Sequence, residues 1–268
     1  MNNFWVLFLV FTIYSFLGWL TESIFCSVPA GKFINRGFLT GPFCPIYGIG
    51  AVVVISLLSP FKDNWVVLYF AGVAITTSLE YLTGYALEKI FHTTYWDYSG
   101  LRFNIKGRIC LQNSLLFGVM CLVGVVYIHP AVMYLTGSIP DKLLPFVSIL
   151  CMLYFLFDTV ISVHAALQLN GKLEELQQVL DSIKERASSY TADTFESIQA
   201  KIGNLFDDDT GAFLKLQFEK KDKIETNVKF FQRRIVDAFP TMKSISNNES
   251  LQRLKEAIKS KAQNIKRK

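Results

Sequence analysis

Charge is scarce in the first 169 residues of this 268-residue chain. They hold 8 of the 27 Lys and Arg residues and 7 of the 22 Asp and Glu residues, so most of the charge lies in the remaining residues. Charge-free stretches extend over residues 1–21, 37–61, 64–79 and 109–140. Each is long enough, or nearly so, for the roughly 20 apolar residues that cross a bilayer. This excludes a water-soluble enzyme for residues 1–169 and predicts a polytopic membrane segment followed by a polar tail.

Cysteine and histidine are too dispersed to indicate a metal site or a disulfide framework. The five cysteines include no Cys-x-x-Cys pair, and none of the three histidines lies at metal-ligand spacing from them. An odd, dispersed set of cysteines indicates reduced, packed thiols. We therefore predict no cofactor and no metal. The mixed charge of the tail gives no support for nucleic-acid binding.

The apolar stretches predict an all-α fold with about five transmembrane helices. These are expected at residues 4–26, 45–59, 65–91, 111–128 and 145–169. Basic residues lie in the loops after the first and third helices and in the tail, whereas the opposite side has only Lys62 and Lys142. Basic loops stay in the cytoplasm. We therefore expect a cell-membrane protein with its N-terminus outside and its tail in the cytoplasm.

Two parts of the membrane segment share a sequence pattern. Residues 18–25 align without gaps with residues 84–91, and both read G-[WY]-x-x-E-x-I-F. Downstream, Gly37 and Gly107 each follow a basic residue and each precede another glycine by eleven positions. The pattern indicates a tandem duplication in which both copies enter the membrane from the same side, as in some transporters. The two copies are residues 4–59 and 65–128.

The duplication gives two acidic residues equivalent positions. Glu22 and Glu88 lie at the cytoplasmic ends of the first and third predicted helices, close to glycines that allow close helix approach. Glu80 and Asp158 lie deeper in their helices. A charge at that depth costs about 2.5–3.5 kcal/mol on insertion scales, so it requires a cation, a bound ion or a proton. Fixed ion pairs and ligand-binding acids both remain open as explanations.

Prolines interrupt the segment before the second predicted helix. Pro42 and Pro45 leave only residues 45–59 as uninterrupted helix. At 1.5 Å per residue this helix is about 22 Å long, which is shorter than a hydrocarbon core of about 30 Å. The bare backbone before it must face protein or a water-filled cavity. A broken helix of this kind points to a binding site.

We expect one cavity at the cytoplasmic side to gather the polar residues of both copies into a substrate-binding site. Its predicted members are Glu22, Arg36, Cys44, Glu80, Glu88, Asp97, Asn104, Lys106, Arg108 and Asp158. Arg36, Lys106 and Arg108 are the candidate cationic partners of the acids. No catalytic residue and no metal ligand is predicted.

Four motifs resemble those of one membrane-protein family. They are Asn35–Gly48, Glu80–Glu88, Trp96–Ser99 and Asn104–Leu111. Over roughly residues 4–130 the chain resembles the ABC-transporter type IV membrane family. The resemblance implies a permease of a bacterial inner membrane. The chain contains no Walker motif G-x-x-x-x-G-K-[ST], so any ATPase partner would be a separate polypeptide.

Residues 170–268 are expected to form a helical cytoplasmic tail. Apolar residues at three- and four-residue spacing, beginning at Leu173, indicate amphipathic helices of coiled-coil type. Such helices predict binding to a partner protein or to a second copy of the chain. Three functions remain open: a transport component, a membrane enzyme acting on lipid headgroups, and a scaffold that presents its tail. No nucleophile–base pair or metal-ligand cluster is visible, which disfavours the enzyme.

Overall fold

The computed structural model describes residues 3–188 and 208–266 of the chain. Other parts of the predicted tail, residues 189–207 and 267–268, lie outside the described residues. The chain divides into two compact units. The first consists of Met1–His164 with Asp237–Met242, and the second consists of Ala165–Val236 with Lys243–Lys268. Six residues from the predicted tail therefore belong to the first unit.

Helices dominate the first unit. They are α1 (Phe4–Ala30), α2 (Pro45–Leu58), α3 (Trp65–Phe91), α4 (Leu111–Val123), α5 (His129–Gly137) and the part of α6 (Leu144–Ser188) up to His164. A single 3₁₀ turn, Ser59–Phe61, follows α2. Three β-strands of two residues each lie in the loop between α3 and α4: β1 (Thr93–Thr94), β2 (Asn104–Ile105) and β3 (Ile109–Cys110).

Four helical stretches of the described chain are long and apolar enough to cross a membrane. They are Phe4–Ala30, Trp65–Phe91, Leu111–Gly137 and Leu144–Arg186. The prediction of a mostly helical chain with several candidate membrane-spanning helices is confirmed in this form. The apolar stretch Pro45–Phe61 is shorter than these four. The count of five transmembrane helices therefore stays a prediction.

The helix predicted to end at residue 128 continues to Gly137 through a π-helical turn. This turn, Gly124–Ile128, joins α4 to α5. Pro130 lies just after it, and a proline inside a helix removes one hydrogen bond and clashes with the carbonyl four residues earlier. That carbonyl belongs to Val126, which lies within the wider π turn. The wider turn explains how the helix continues past Pro130, whereas the predicted helix ended at residue 128.

Side-chain caps and special backbone positions fix the helix ends. The Asn3 side chain accepts a hydrogen bond from the Trp5 amide at 3.0 Å, and Asn64 accepts one from the Val67 amide at 3.2 Å. Such caps satisfy amide groups that have no partner within the helix. Helix α1 ends where Gly31 adopts a φ of 60°, a conformation that favours glycine.

Glycine contacts bring α1 and α2 into close approach. A Cβ atom on Gly48 would lie 2.2 Å from Ser15 Oγ and 2.5 Å from the Phe11 carbonyl oxygen. A Cβ on Gly18 would lie 2.3 Å from the Tyr47 ring. In the second pair of helices, a Cβ on Gly118 would lie 2.5 Å from Val73. Both helix pairs therefore depend on glycine at their contact surfaces.

Apolar side chains from α1 to α5 form the core of the first unit. The cluster contains Val10, Tyr14, Val54, Ile55, Leu58, Leu68, Cys121, Val125 and Val132. Many other large apolar residues are exposed, among them Leu150, Phe157 and Val160 of α6. Helices with apolar side chains on their outer surface are expected in a lipid environment, where those side chains face hydrocarbon.

The described residues of the second unit form four helical parts. They are α6 from Ala165 onward, α7 (Asp208–Thr226), α8 (Phe230–Ala238, of which Asp237 and Ala238 belong to the first unit) and α9 (Asn248–Lys266). A short strand, β4 (Lys243–Ser244), precedes α9. Leu176, Leu180 and Ile183 of α6 are fully buried against Leu214 and Phe218 of α7. The apolar stripe that begins at Leu173 thus forms the core of this unit. Helix α6 therefore continues well beyond residue 169, where the fifth transmembrane helix was predicted to end.

We expect Gly48→Ala to destabilise the first unit, because the added methyl group collides with the backbone of α1 as well as with a side chain. Overpacking of this kind costs about 1–3 kcal/mol. Gly137→Ala is the matched control, because a Cβ there has no neighbour within 4 Å. The measurement is the midpoint of thermal unfolding in detergent. Equal midpoints for the two variants would contradict the close approach of α1 and α2.

Candidate functional site

The first unit contains a partly open pocket of about 460 Å³, called here the chamber. Helices α1, α2, α3 and α4 form its walls together with the π turn and residues of the loops that follow α1 and α3. Its surface is mostly apolar, with Leu17, Ile46, Val54, Leu79, Phe117 and Met120 among the lining residues. The volume lies within the range of small-molecule sites, about 300–1,000 Å³.

Glu22 enters the chamber from α1 and has two polar partners. The Tyr47 hydroxyl donates a hydrogen bond to Glu22 Oε1 at 2.5 Å, and Arg36 Nε lies 3.6 Å from Oε2. Arg36 lies in the loop between α1 and α2, and its side chain is largely buried. The Arg36 cation and the tyrosine hydroxyl thus compensate the cost of placing this carboxylate at a mostly apolar surface.

Arg36 also contacts the segment Asp237–Met242. Its Nη1 donates a hydrogen bond to the Ala238 carbonyl oxygen, and its guanidinium carbon lies 4.7 Å from the centre of the Phe239 ring. Tyr95 packs edge-on against the same ring at 5.0 Å. Phe239 itself lines the chamber. Cation–π contact and hydrogen bonding thus hold a residue from far along the sequence in the chamber wall.

Glu80 lies in α3 and is the most buried acid that lines the chamber, with 7% of its surface exposed. The Tyr98 hydroxyl donates a hydrogen bond to Glu80 Oε1 at 3.3 Å. Burial raises the pKa of Tyr98 well above its usual value, and the nearby Glu80 carboxylate raises it further. Tyr98 therefore stays protonated and remains a hydrogen-bond donor. Glu80 Oε2 has no hydrogen-bond partner among the described residues.

A second ion pair joins Glu88 of α3 to Arg108. Arg108 Nε and Nη2 donate hydrogen bonds to Glu88 Oε2 at 2.8 and 2.7 Å, and Nη1 donates one to the Tyr81 hydroxyl at 3.1 Å. The guanidinium group also lies over the rings of Tyr81 and Tyr85, 5.3 Å from each centre. Antiparallel pairing of β2 with β3, in which Asn104 opposes Cys110, places Arg108 beside α3.

Asp158 holds the broken segment before α2 in place. Its Oδ1 accepts hydrogen bonds from the Thr40 amide at 2.9 Å and the Ser162 hydroxyl at 3.2 Å. Its Oδ2 accepts one from the Gly41 amide at 2.8 Å. Gly41 has no room for a side chain, because a Cβ there would lie 1.8 Å from the Tyr154 hydroxyl oxygen. Backbone donors thus solvate a carboxylate that is 4% exposed.

Besides Arg108, three predicted site residues occupy the loop between α3 and α4. Asp97 Oδ1 accepts a hydrogen bond from the Ser99 amide at 2.9 Å. The Asn104 side chain donates to the Leu101 carbonyl oxygen at 2.8 Å and accepts from the Gly107 amide at 3.1 Å. Lys106 is exposed and has a φ of 52°. Asp97 and Asn104 thus contribute to the shape of the loop.

The chamber brings together four of the ten predicted site residues. These are Glu22, Arg36, Cys44 and Glu80. The other six are described but do not line it: Glu88, Asp97, Asn104, Lys106, Arg108 and Asp158. Cys44 is buried, donates its thiol hydrogen to the Arg36 carbonyl oxygen and precedes the first turn of α2. The two acids of the duplicated pattern, Glu22 and Glu88, each pair with a different arginine.

Sequence analysis missed the seven aromatic residues of the chamber. They are Tyr14, Phe38, Tyr47, Trp96, Tyr98, Phe117 and Phe239. Trp96 and Tyr98 belong to a motif that was used only for the family resemblance. Phe239 lies in the predicted tail, so nothing in its sequence position connects it with the membrane segment.

A comparison with protein families gives a match over residues 9–163. The matching family is described as "Putative ABC-transporter type IV". The chain belongs to this family. Comparisons with curated proteins and with solved structures found no match. The family assignment and the apolar helices together identify this ABC-transporter type IV protein as a membrane protein.

The chamber of this ABC-transporter type IV protein offers ion pairing and hydrogen bonding at an apolar surface. Within the described ranges, no group of three or more His, Cys, Asp or Glu residues could hold a metal ion. The charged residues that line the chamber are Glu22, Arg36 and Glu80, and Thr76, Thr83 and Tyr98 are among its other polar lining residues. A mostly apolar wall with few polar groups is typical of small-molecule sites.

We expect Asp158→Asn to destabilise the ABC-transporter type IV protein. One carboxylate oxygen becomes an amide group that faces a backbone N–H, so an accepting contact is lost. Loss of hydrogen bonds to a charged group costs about 1.5–3 kcal/mol each. The midpoint of thermal unfolding in detergent measures the effect, with Asp141→Asn, at an exposed acid, as the control. If both variants unfold at the wild-type temperature, Asp158 does not hold the segment before α2.

Proposed function

We propose that this protein is a membrane-spanning transport component, a permease whose solute binds in the chamber. The chamber carries the proposal, because it combines a volume suited to a small molecule with a mostly apolar wall and few polar groups. It lies next to the proline-interrupted segment before α2, where broken helices of transporters form binding sites. The family description supports the same function.

The proposal includes a duplicated membrane core. Glu22 of α1 and Glu88 of α3 each pair with an arginine from the loop that follows their own helix. In the sequence alignment Arg36 corresponds to Lys106, whereas the pairing arginine is Arg108, two residues further along. The glycines of the pattern, Gly48 and Gly118, both lie at close helix contacts. These parallels support a repeat related by rotation about the membrane normal.

We further infer that the tail is cytoplasmic and that a separate ATPase subunit binds the protein. Basic residues in the loops after α1 and α3 support this orientation, because such loops stay in the cytoplasm. The chain has no Walker motif of its own, so ATP hydrolysis requires a second polypeptide. The amphipathic helices after residue 169 are the candidate surface for that subunit or for a second copy.

The orientation predicts which loops react with an impermeant thiol reagent in intact cells. Lys62 and Arg102 are both exposed and lie in loops on opposite sides of the predicted membrane. A cysteine at Lys62 should be labelled from outside, and a cysteine at Arg102 should be labelled only after the cells are opened. Labelling of the unsubstituted protein gives the background from the five native cysteines. Labelling of the Arg102 position in cells shown to be intact would reverse the orientation.

Filling the chamber should remove its ligand. Gly50 lines the chamber, and the nearest atom to a Cβ placed there is Leu79 Cδ1 at 3.9 Å, so Gly50→Leu adds volume without a backbone collision. Leucine also favours a helix more than glycine does, so α2 is expected to form. Wild type and Gly50→Leu are each extracted from cells in polymer-bounded lipid discs. The small molecules that copurify with each protein are then identified by mass spectrometry. We expect one or more to be present with wild type and absent with Gly50→Leu.

Gly171→Leu is the matched control for that experiment. Gly171 is an exposed helical glycine outside the chamber, and a Cβ there has no neighbour within 4 Å. This variant should retain the same molecules as wild type. If Gly50→Leu retains them as well, the chamber is not the binding site, and a scaffold that presents its tail becomes the better explanation. A chemically altered lipid headgroup among the retained molecules would favour the membrane enzyme instead.

A further inference from the structure

Glu80 is a buried acid of the chamber wall, and one of its carboxylate oxygens has no hydrogen-bond partner among the described residues. Only 7% of its surface is exposed, and it lines the chamber from α3. Tyr98 occupies Oε1, whereas Oε2 has no hydrogen-bond partner among the described residues. A buried polar atom without a partner costs about 1–3 kcal/mol, and more when it is charged. The free oxygen therefore marks a place where a bound molecule would supply the missing hydrogen.

Glu80 has no cationic partner in the chamber. Of the described residues that line it, Glu22, Glu80 and Arg36 are the acidic and basic ones. Glu22 and Arg36 lie 3.6 Å apart and compensate each other, and Arg36 is further engaged by the Ala238 carbonyl oxygen and the Phe239 ring. Glu80 keeps only the hydrogen bond from the Tyr98 hydroxyl. A ligand with a single positive charge would pair with the Glu80 carboxylate and favour its ionised form.

The apolar part of the chamber surface favours a hydrocarbon group at the other end of such a ligand. Apolar side chains of three different helices, among them Ile46, Leu79 and Phe117, face the same space. They would contact hydrocarbon and gain the free energy of removing it from water. The volume of about 460 Å³ lies in the lower half of the range for small-molecule sites, which favours a compact or single-chain molecule over a two-chain phospholipid.

We propose that the chamber binds a compact amphipathic amine. Its protonated nitrogen donates a hydrogen bond to Glu80 Oε2, and its hydrocarbon part lies along the apolar wall. Tyr98 holds the carboxylate from the opposite oxygen and so fixes its orientation. This inference rests on the proposed function, because it assigns a ligand class to the same chamber.

The proposal predicts a preference among molecules that differ only in their head group. Decylamine, decanol and decanoate share one hydrocarbon chain and carry a positive, neutral and negative head at neutral pH. Binding of each radiolabelled molecule is measured on the full-length protein in phosphatidylcholine nanodiscs, with empty nanodiscs as the correction for partition into lipid. Decylamine should bind at least about tenfold more tightly than the other two, because only its head adds a positive charge to the hydrogen bond with the carboxylate.

Glu80→Gln separates the charge of this residue from its shape. The amide keeps the size of the side chain and removes the negative charge, so decylamine should bind about tenfold or more weakly while decanol binding is unchanged. Asp63→Asn is the matched control, because it also removes one negative charge but lies in an exposed loop. It should bind all three molecules as wild type does. The comparison of the three molecules on wild type needs no variant, so it tests the proposal even if Glu80→Gln does not fold.

Several results would overturn the amine proposal. Equal binding of decanol or decanoate on wild type would show that Glu80 does not select a cation. Unchanged decylamine binding by Glu80→Gln would show that the nitrogen lies elsewhere. Gly50→Leu distinguishes the failure of this proposal from failure of the proposed function. If wild type shows no preference for decylamine and Gly50→Leu abolishes binding of all three molecules, the chamber binds ligands but does not select them by charge. If it abolishes none, the chamber itself is not the binding site.

Discussion

The cost of burying carboxylates among apolar helices constrains the whole first unit. Each acid in this part of the chain requires a compensating group, because an unpaired buried charge is far less stable than a paired one. Asp158 uses backbone amides, Glu22 uses Tyr47 with Arg36, and Glu88 uses Arg108. Apart from Tyr47 of α2, these partners come from loops, so the acids determine how the loops lie against the helices. Glu80 has only the Tyr98 hydroxyl, and this difference sets it apart from the other three acids.

The chamber results from a balance between close and loose helix packing. Glycines permit direct contact between α1 and α2 at Gly48 and between α3 and α4 at Gly118. Where the two pairs meet, aromatic and aliphatic side chains line a space instead of filling it. The result is a partly open, mostly apolar pocket of about 460 Å³, a volume typical of small-molecule sites.

Sequence reasoning predicted a mostly helical chain with several apolar spans, and it predicted the family. It succeeded there because apolar length is a local property of the chain. It placed all ten site residues in one cavity, but the chamber contains only four of them. Among the three candidate cations, Arg108 pairs with Glu88, because the β2–β3 pairing sets which basic side chain faces α3. Hydroxyl partners such as Tyr47 and Tyr98, and the continuation of the helix past Pro130 as α5, depend on three-dimensional contacts that no spacing rule contains.

Phe239 has a consequence for where the functional part of this protein ends. The family match ends at residue 163, yet a ring that lines the chamber comes from residue 239. A chain shortened to the matched region would lose the first residues of α1 and the end of α6, and it would leave a gap in the chamber wall. It would also free the guanidinium group of Arg36 from the ring and carbonyl that now cover it. Such a shortened protein would expose the Arg36 cation where the 268-residue chain presents an aromatic surface.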